Sequence, residues 1–208
     1  MPGYSEFADE LLQHGTSTLC EASGVPGALD TALRPVWPGA TIIGTALPVR
    51  CAAGDNLAIH LAVAQASPGD VLVVDGQQYI GGYWGEILTV AAQARGLSGL
   101  VIDGGVRDIA ALEKRRFPVF ARGVGMRACV KVTAPPPSET VAVAGVPITR
   151  GDLIVADADG VCAIPQALVE RTLAAARQRT ERESSIMQRL QAGETTVQIL
   201  GLAAKATP

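Results

Sequence analysis

The feature that most constrains the fold is an alternation of short apolar runs with helical segments across residues 56–123. The runs "VLVV" and "GLVI" are continuously apolar, which is typical of strands covered on both faces. Helical spacing occurs in "NLAIHLAVAQA", "WGEILTVAAQARG" and "ALEKRR", and "PVFARG" supplies a further strand. This β-α-β-α-β order predicts an α/β fold with a mostly parallel central sheet and crossover helices on its faces.

The pattern changes on either side of this region. A strand in "TIIGTALPVRC" precedes it, and from residue 128 onward short strands are predicted in "ACVKVTA", "ETVAVAG", "DLIVAD" and "VCAIP". We expect that second half to form a small β-barrel or sandwich joined to the same core. A long helix from about Pro165 to about Gly193 follows, and Glu183 interrupts its apolar stripe. We expect residues 1–208 to form a single domain.

Composition argues against several classes of protein. The formal net charge of −3 and the lack of a long basic run argue against a nucleic-acid partner. No run of about 18 apolar residues is present, and the acidic N-terminal region does not resemble a signal peptide, so we expect a cytoplasmic protein. The four cysteines are far apart and form no C-x-x-C pair, which favours reduced core residues over a zinc site.

Charged residues stand at the ends of the apolar elements. Asp75 and Asp103 directly follow two buried runs, Arg107 and Asp108 lie a few residues further on, and Glu86 begins a predicted helix. Residues just after the carboxyl ends of parallel strands line the crevice where ligands bind. We therefore expect these charged groups to meet at one edge of the sheet, among glycines that let a small ligand approach the backbone.

The chemistry of this set suggests a metal site for a 2-oxo acid. Mg²⁺ prefers oxygen ligands and often keeps water and substrate in its remaining positions. Asp108 is the expected direct ligand, and Glu86 is expected to hold the metal through water. Arg107 offers a planar fork of donors suited to a carboxylate or an enolate oxygen.

Each of these residues also has an ordinary structural explanation. Asp103 and Asp75 are suited to turns, Arg107 and Asp108 to a surface ion pair or helix cap, and Glu86 to a helix start. No histidine is placed as the base of a nucleophilic mechanism, and no lysine is well placed for a Schiff base. The aromatic residues of "YW", at positions 83 and 84, could line the site or simply pack.

Four segments together resemble a known family. They are "PGDVLVVD", "WGEILTVAAQARGLSGLVIDGGVRD", "FPVFARG" and "GVPITRGDLIVADADGVCAIP". The chain resembles the metal-dependent 4-hydroxy-4-methyl-2-oxoglutarate aldolases and the related regulators of ribonuclease activity A, over residues 67–193. The resemblance implies an αββα-type sandwich with a swivelling, phosphohistidine-domain-like topology. It also implies a trimer or a dimer of trimers, with active sites at the subunit interfaces.

The resemblance assigns roles to individual residues. It places substrate binding at Gly85, Glu86, Ile87 and Leu88, enolate stabilisation at Arg107, the metal at Asp108, and an acid reaching a neighbouring subunit's site at Glu183. The implied reaction is Mg²⁺- or Mn²⁺-dependent cleavage of a 4-hydroxy-2-oxo acid to pyruvate and a second 2-oxo acid, with decarboxylation of oxaloacetate as well. The alternative is a regulator that binds and inhibits ribonuclease E. A methyltransferase is poorly supported, because no glycine-rich cofactor loop follows the first strand.

Overall fold

The computed structural model describes residues 4–133 and 135–202, apart from the side chains of residues 5 and 6. Its strands are β1 (Arg34–Pro35), β2 (Ile42–Arg50), β3 (Asp70–Asp75), β4 (Gly99–Val106), β5 (Val119–Val124), β6 (Thr140–Val143), β7 (Val146–Thr149), β8 (Leu153–Asp157) and β9 (Gly160–Ile164). Seven of them form one sheet in the order β1-β5-β4-β3-β2-β8-β9. Strands β2 to β5 are mutually parallel, whereas β1, β8 and β9 pair antiparallel to their neighbours.

This mixed sheet confirms the predicted α/β class and corrects the prediction for the second half of the chain. Strand β8 pairs with β2 through Ile42 and Ala156, so β8 and β9 extend the main sheet. Only the β6–β7 hairpin forms a separate sheet within the described residues, so the predicted small barrel or sandwich is wrong. The described part of "ACVKVTA", residues 128–133, is not a strand and makes only isolated bridges, at Ala128 and Val130. The swivelling, phosphohistidine-domain-like topology stays a prediction.

The helices cover the sheet and supply its crossovers. They are α1 (Ala8–His14), α2 (Thr16–Ser23), α3 (Leu57–Gln65), α4 (Glu86–Ala94), α5 (Ile109–Lys114), α6 (Val169–Gln191) and α7 (Thr196–Ile199). Helices α3, α4 and α5 connect successive parallel strands, as the sequence pattern predicts. The long C-terminal helix α6 is also confirmed. None of the described helices is both long enough and apolar enough to cross a membrane.

Two hydrophobic clusters hold these elements together. The larger surrounds the parallel strands, where Val71 to Val74 and Leu100 to Ile102 are completely buried, which explains their continuous apolar runs. The smaller cluster, which includes Leu173, packs α1, α2 and the first half of α6 against β8 and β9. Beyond Ala176 the apolar stripe of α6 is no longer buried, and Met187 is 55% exposed. The second half of α6 therefore extends past the core.

Candidate active site

The site lies at the end of β4, which continues beyond the predicted strand "GLVID". Strand β4 runs on through two glycines to Val106, with a register shift against β5 between Ile102 and Gly105. Trp84 forms a parallel bridge with Val106, and the Arg107 N–H donates to the Trp84 carbonyl over 2.9 Å. The loop before α4 therefore lies alongside the end of β4, which brings the two predicted parts of the site together.

Asp108 is the point at which they meet. It precedes α5 with a φ of 61°, in the left-handed region, and its Oδ2 accepts a hydrogen bond from the Glu86 N–H over 3.0 Å. Arg107 Nε lies 3.8 Å from the same oxygen. A Cβ atom on Gly85 would stand only 2.4 Å from Asp108 Oδ2, so this close approach requires glycine. The structure thus brings Gly85, Glu86, Arg107 and Asp108 into one cluster.

The first turn of α4 offers free hydrogen-bond donors beside this cluster. Thr89 is the first residue of the helix whose N–H reaches back along the chain, to the Gly85 carbonyl at 3.1 Å. Among the described residues, the N–H groups of Ile87 and Leu88 have no acceptor. Unpaired N–H groups at a helix start and the helix dipole together favour an anion. The arrangement can therefore bind a carboxylate next to Arg107.

The loop that carries Gly85 is rigid because its aromatic residues are buried. Tyr83 and Trp84 are both completely inaccessible to solvent, so they pack beneath the loop and do not line a pocket. The Tyr83 hydroxyl accepts the Gly54 N–H over 2.7 Å, and burial raises its pKa to about 12, so it stays neutral. Trp84 Nε1 donates to Thr89 Oγ1 over 2.7 Å. These contacts fix the entrance to α4 before any ligand binds.

Glu86 has a partner that the sequence did not indicate. Arg115, at the end of α5, donates from Nε to Glu86 Oε1 over 2.9 Å, and its Nη2 lies 2.8 Å from the same oxygen. The two residues are 29 positions apart, and "EKRR" has the composition of an ordinary solvated helix. Sequence spacing carries no signal for a contact between two different helices.

The other two predicted carboxylates lie outside the cluster. Asp103 is buried, forms an ion pair with Arg122, and accepts the Ala144 N–H over 3.2 Å. It therefore holds the β6–β7 hairpin to the sheet. Asp75 accepts the N–H of Gln77 over 3.1 Å, which is the turn geometry expected of an aspartate at the end of a strand. Both residues have structural roles.

No contact within the described chain joins Glu183 to the cluster. It lies on the exposed half of α6, where its Oε1 is 2.7 Å from Arg179 Nε one turn away. Helix α6 packs against α1 and α2, whereas Glu86 begins α4 on the sheet. Its predicted role thus requires a second copy of the chain.

Comparison with known proteins identifies the family to which the chain belongs. A family model described as "RraA-like: Aldolase/RraA" matches residues 16–163. The chain belongs to the RraA-like family. A relative from Halalkalibacterium halodurans, provisionally named a 4-hydroxy-4-methyl-2-oxoglutarate aldolase, is 36% identical over 165 residues, covering 78% of this chain and 79% of the relative.

Solved structures give the same family fold. An uncharacterised protein from Pseudomonas syringae pv. tomato superposes with a TM-score of 0.82 at 28% identity, covering 95% of this chain and 98% of that one. The RNA-processing inhibitor RraA from Thermus thermophilis superposes with a TM-score of 0.67 at 24% identity, covering 73% and 92%. At that identity the second likeness is evidence for the fold alone. These RraA-like neighbours share the α/β architecture described above.

Proposed function

We propose that this RraA-like protein is a divalent-metal-dependent lyase. It cleaves 4-hydroxy-4-methyl-2-oxoglutarate or a related 4-hydroxy-2-oxo acid to pyruvate and a second 2-oxo acid, and it decarboxylates oxaloacetate. The observation that carries the proposal is the approach of Arg107 Nε to within 3.8 Å of Asp108 Oδ2, beside the free N–H groups at the start of α4. The 36% identical relative, provisionally named an aldolase of this type, supports the same substrate class.

The residues of the cluster fit a hard divalent cation. Asp108 provides carboxylate oxygens, and its side chain is 43% exposed, so water and substrate can reach it. No group of three His, Cys, Asp or Glu side chains suited to a metal occurs among the described residues. Asp108 alone would still fit Mg²⁺ or Mn²⁺, because such cations can bind through one or two carboxylates and keep the other positions for water and substrate. When bound at Asp108, the cation would polarise the 2-oxo group.

The protein's own groups account for the rest of the reaction. The N–H groups of Ile87 and Leu88 bind the substrate carboxylate at the helix start. Arg107 donates to the oxygen on which negative charge develops when the carbon–carbon bond breaks, which stabilises the transition state. Glu86 orients the water that removes the 4-hydroxyl proton. Loss of CO₂ from oxaloacetate places the same charge on the same oxygen, so one site serves both reactions.

We also propose that the active form is a homotrimer or a dimer of trimers. From the end of β5 onward the chain exposes four apolar side chains, Val124, Met126, Val130 and Val132, which are 58–88% exposed. This apolar segment lies next to the site, because Val124 is paired with Val106. An exposed apolar face beside an open, half-exposed cluster is suited to a second copy. That copy would contribute its own Glu183 as a second acid.

The enzyme and the ribonuclease E inhibitor make different demands on this surface. A docking protein needs no free N–H pair at a helix start and no guanidinium held beside a carboxylate. The cluster therefore favours the enzyme. A pull-down with ribonuclease E tests the inhibitor directly, and binding without any pyruvate release would favour that alternative.

The deciding experiment measures pyruvate release from oxaloacetate and from 4-hydroxy-4-methyl-2-oxoglutarate. We expect turnover with Mg²⁺ or Mn²⁺, its loss with EDTA, and its return when the metal is added back. Turnover that persists in EDTA, or no pyruvate from either substrate, would overturn the proposal. Size-exclusion chromatography with light scattering measures the oligomer in parallel, and a monomer would contradict the proposed assembly.

A further inference from the structure

Arg115 contacts Glu86 in a way that limits how the Glu86 carboxylate can meet a cation. Its Nε and Nη2 lie 2.9 Å and 2.8 Å from Glu86 Oε1. Both contacts fall on one oxygen, and within the described chain Oε2 receives no hydrogen bond. The contact between Glu86 and Asp108 is made by the Glu86 backbone N–H and leaves the Glu86 carboxylate out.

The backbone of Arg115 is fixed, so its guanidinium approaches Glu86 from a defined position. Its N–H donates to the Ala111 carbonyl over 3.0 Å, and its carbonyl accepts Gln93 Nε2 over 2.9 Å. Gln93 belongs to α4, so this bond joins the C-terminal halves of α4 and α5. Asp108 and Glu86 join the N-terminal ends of the same two helices. Helix α5 therefore touches Glu86 from both of its ends.

The ion pair between Arg115 and Glu86 contributes little to folding, so its main effect is on the geometry of the Glu86 carboxylate. The side chains of Arg115 and Glu86 are 38% and 46% exposed, and exposed ion pairs are weak stabilisers. A carboxylate can bind a cation with one or both oxygens. With Oε1 held by two guanidinium donors, binding of a cation through both oxygens would require this ion pair to break, and the negative charge of Glu86 is offset.

We propose that Arg115 is a positioning residue that keeps Glu86 from binding the cation through both of its oxygens. It leaves Oε2 free to accept a hydrogen bond from water or from the substrate hydroxyl. The inference rests on the proposed function for the reaction itself, but its effect on metal binding is independent of turnover. Groups that orient the ligands and acids of a metal site commonly change metal affinity or activity by about 10- to 100-fold when removed.

The test measures two quantities that a merely structural role would lower together. Binding of Mn²⁺ to the metal-free protein is followed by electron paramagnetic resonance, and kcat by pyruvate release. For Arg115→Gln we expect Mn²⁺ affinity to rise several-fold, because both oxygens of Glu86 become available to the cation, while kcat falls about 10-fold. For Arg115→Lys we expect values between those of Arg115→Gln and the wild type, since the positive charge is retained but the two guanidinium donors are lost.

Two controls make the result decisive. Lys114→Gln removes a neighbouring positive charge that has no ion pair among the described residues, so it should leave both quantities unchanged. In the Glu86→Gln background, Arg115→Gln should no longer raise Mn²⁺ affinity. The inference is overturned if Arg115→Gln weakens Mn²⁺ binding, matches Lys114→Gln, or leaves kcat intact. If the wild type releases no pyruvate, the proposed function fails, and the Mn²⁺ measurement still decides whether Arg115 restrains Glu86.

Discussion

The Glu86 N–H donates to Asp108 Oδ2 over 3.0 Å, which joins the first turn of α4 to the start of α5. These residues come from two different crossovers, and the bond forms because β4 delivers Asp108 beside the loop before α4. Asp108 is thereby oriented by backbone, and Arg107 is placed beside it. The consequences can be tested one contact at a time.

Gly85→Ala should disable the site without unfolding the protein. Its φ of −162° is extended, so alanine causes no backbone strain, but the new Cβ would lie 2.4 Å from Asp108 Oδ2. Displacing a catalytic group by about 1 Å can lower turnover by about 100-fold. We expect a loss of that order in pyruvate release with a nearly unchanged melting temperature. Gly123→Ala is the matched control, because its nearest neighbour would be Ile80 at an ordinary 3.4 Å.

Arg107→Ala should lower turnover by about 100-fold or more if the guanidinium stabilises developing charge. Arg107→Lys should recover only part of the loss, because an ammonium is a single point charge and lacks the planar fork. Arg95→Ala, at an exposed position after α4, serves as the control for loss of one positive charge. Wild-type kinetics in Arg107→Ala would remove Arg107 from the mechanism.

The sequence predicted the cluster of Glu86, Arg107 and Asp108 because parallel strands end at a common edge, and this follows from the apolar runs alone. It could not assign Asp103, since an aspartate after a buried strand faces either the crevice or the opposite side. The register shift between Ile102 and Gly105 separates Asp103 from the residues that follow it. Local pattern does not reveal such a shift.

Pairing between distant segments was likewise beyond the sequence. Strands β8 and β9 were predicted as strands, but their place beside β2 depends on long-range pairing, which short alternating segments do not specify. The Arg115–Glu86 contact has the same origin. The single chain does not bring Glu183 to the candidate site. Its role depends on a second copy of the chain and stays a prediction.

Asp108→Asn should separate metal binding from folding. Asparagine keeps the shape of the side chain and can still accept the Glu86 N–H, but it loses the negative charge that a hard cation requires. We expect Mn²⁺ affinity to fall by more than about 10-fold, with matching loss of turnover and an unchanged circular dichroism spectrum. If Mn²⁺ still binds with wild-type affinity, the metal is held elsewhere.

Asp55 should make the protein's free energy of unfolding depend on pH. Burial alone would raise the pKa of this carboxyl, but hydrogen bonds from the N–H groups of Leu57, Thr133 and Val132 hold the pKa below its ordinary value. A lowered folded-state pKa means that this stabilisation is complete above about pH 4 and is lost as the pH falls through the folded value. Urea unfolding at several pH values should show a smaller acid dependence for Asp55→Asn than for the wild type. Exposed Asp9→Asn should change nothing.

Asp103→Ala should destabilise the fold while leaving the metal site intact. Asp103 and Arg122 form an ion pair in which the aspartate side chain is only 7% exposed. Removing the aspartate leaves a poorly solvated guanidinium whose other ion-pair partner, Asp30, is 4.0 Å away. Breaking a buried pair costs about 3–5 kcal/mol, and the 18% exposure of the Arg122 side chain places the expected loss nearer about 2–4 kcal/mol. Urea unfolding measures that loss, and Mn²⁺ affinity should stay at the wild-type value. If Asp103→Ala keeps its stability but binds Mn²⁺ poorly, Asp103 acts in metal binding and the structural role is wrong.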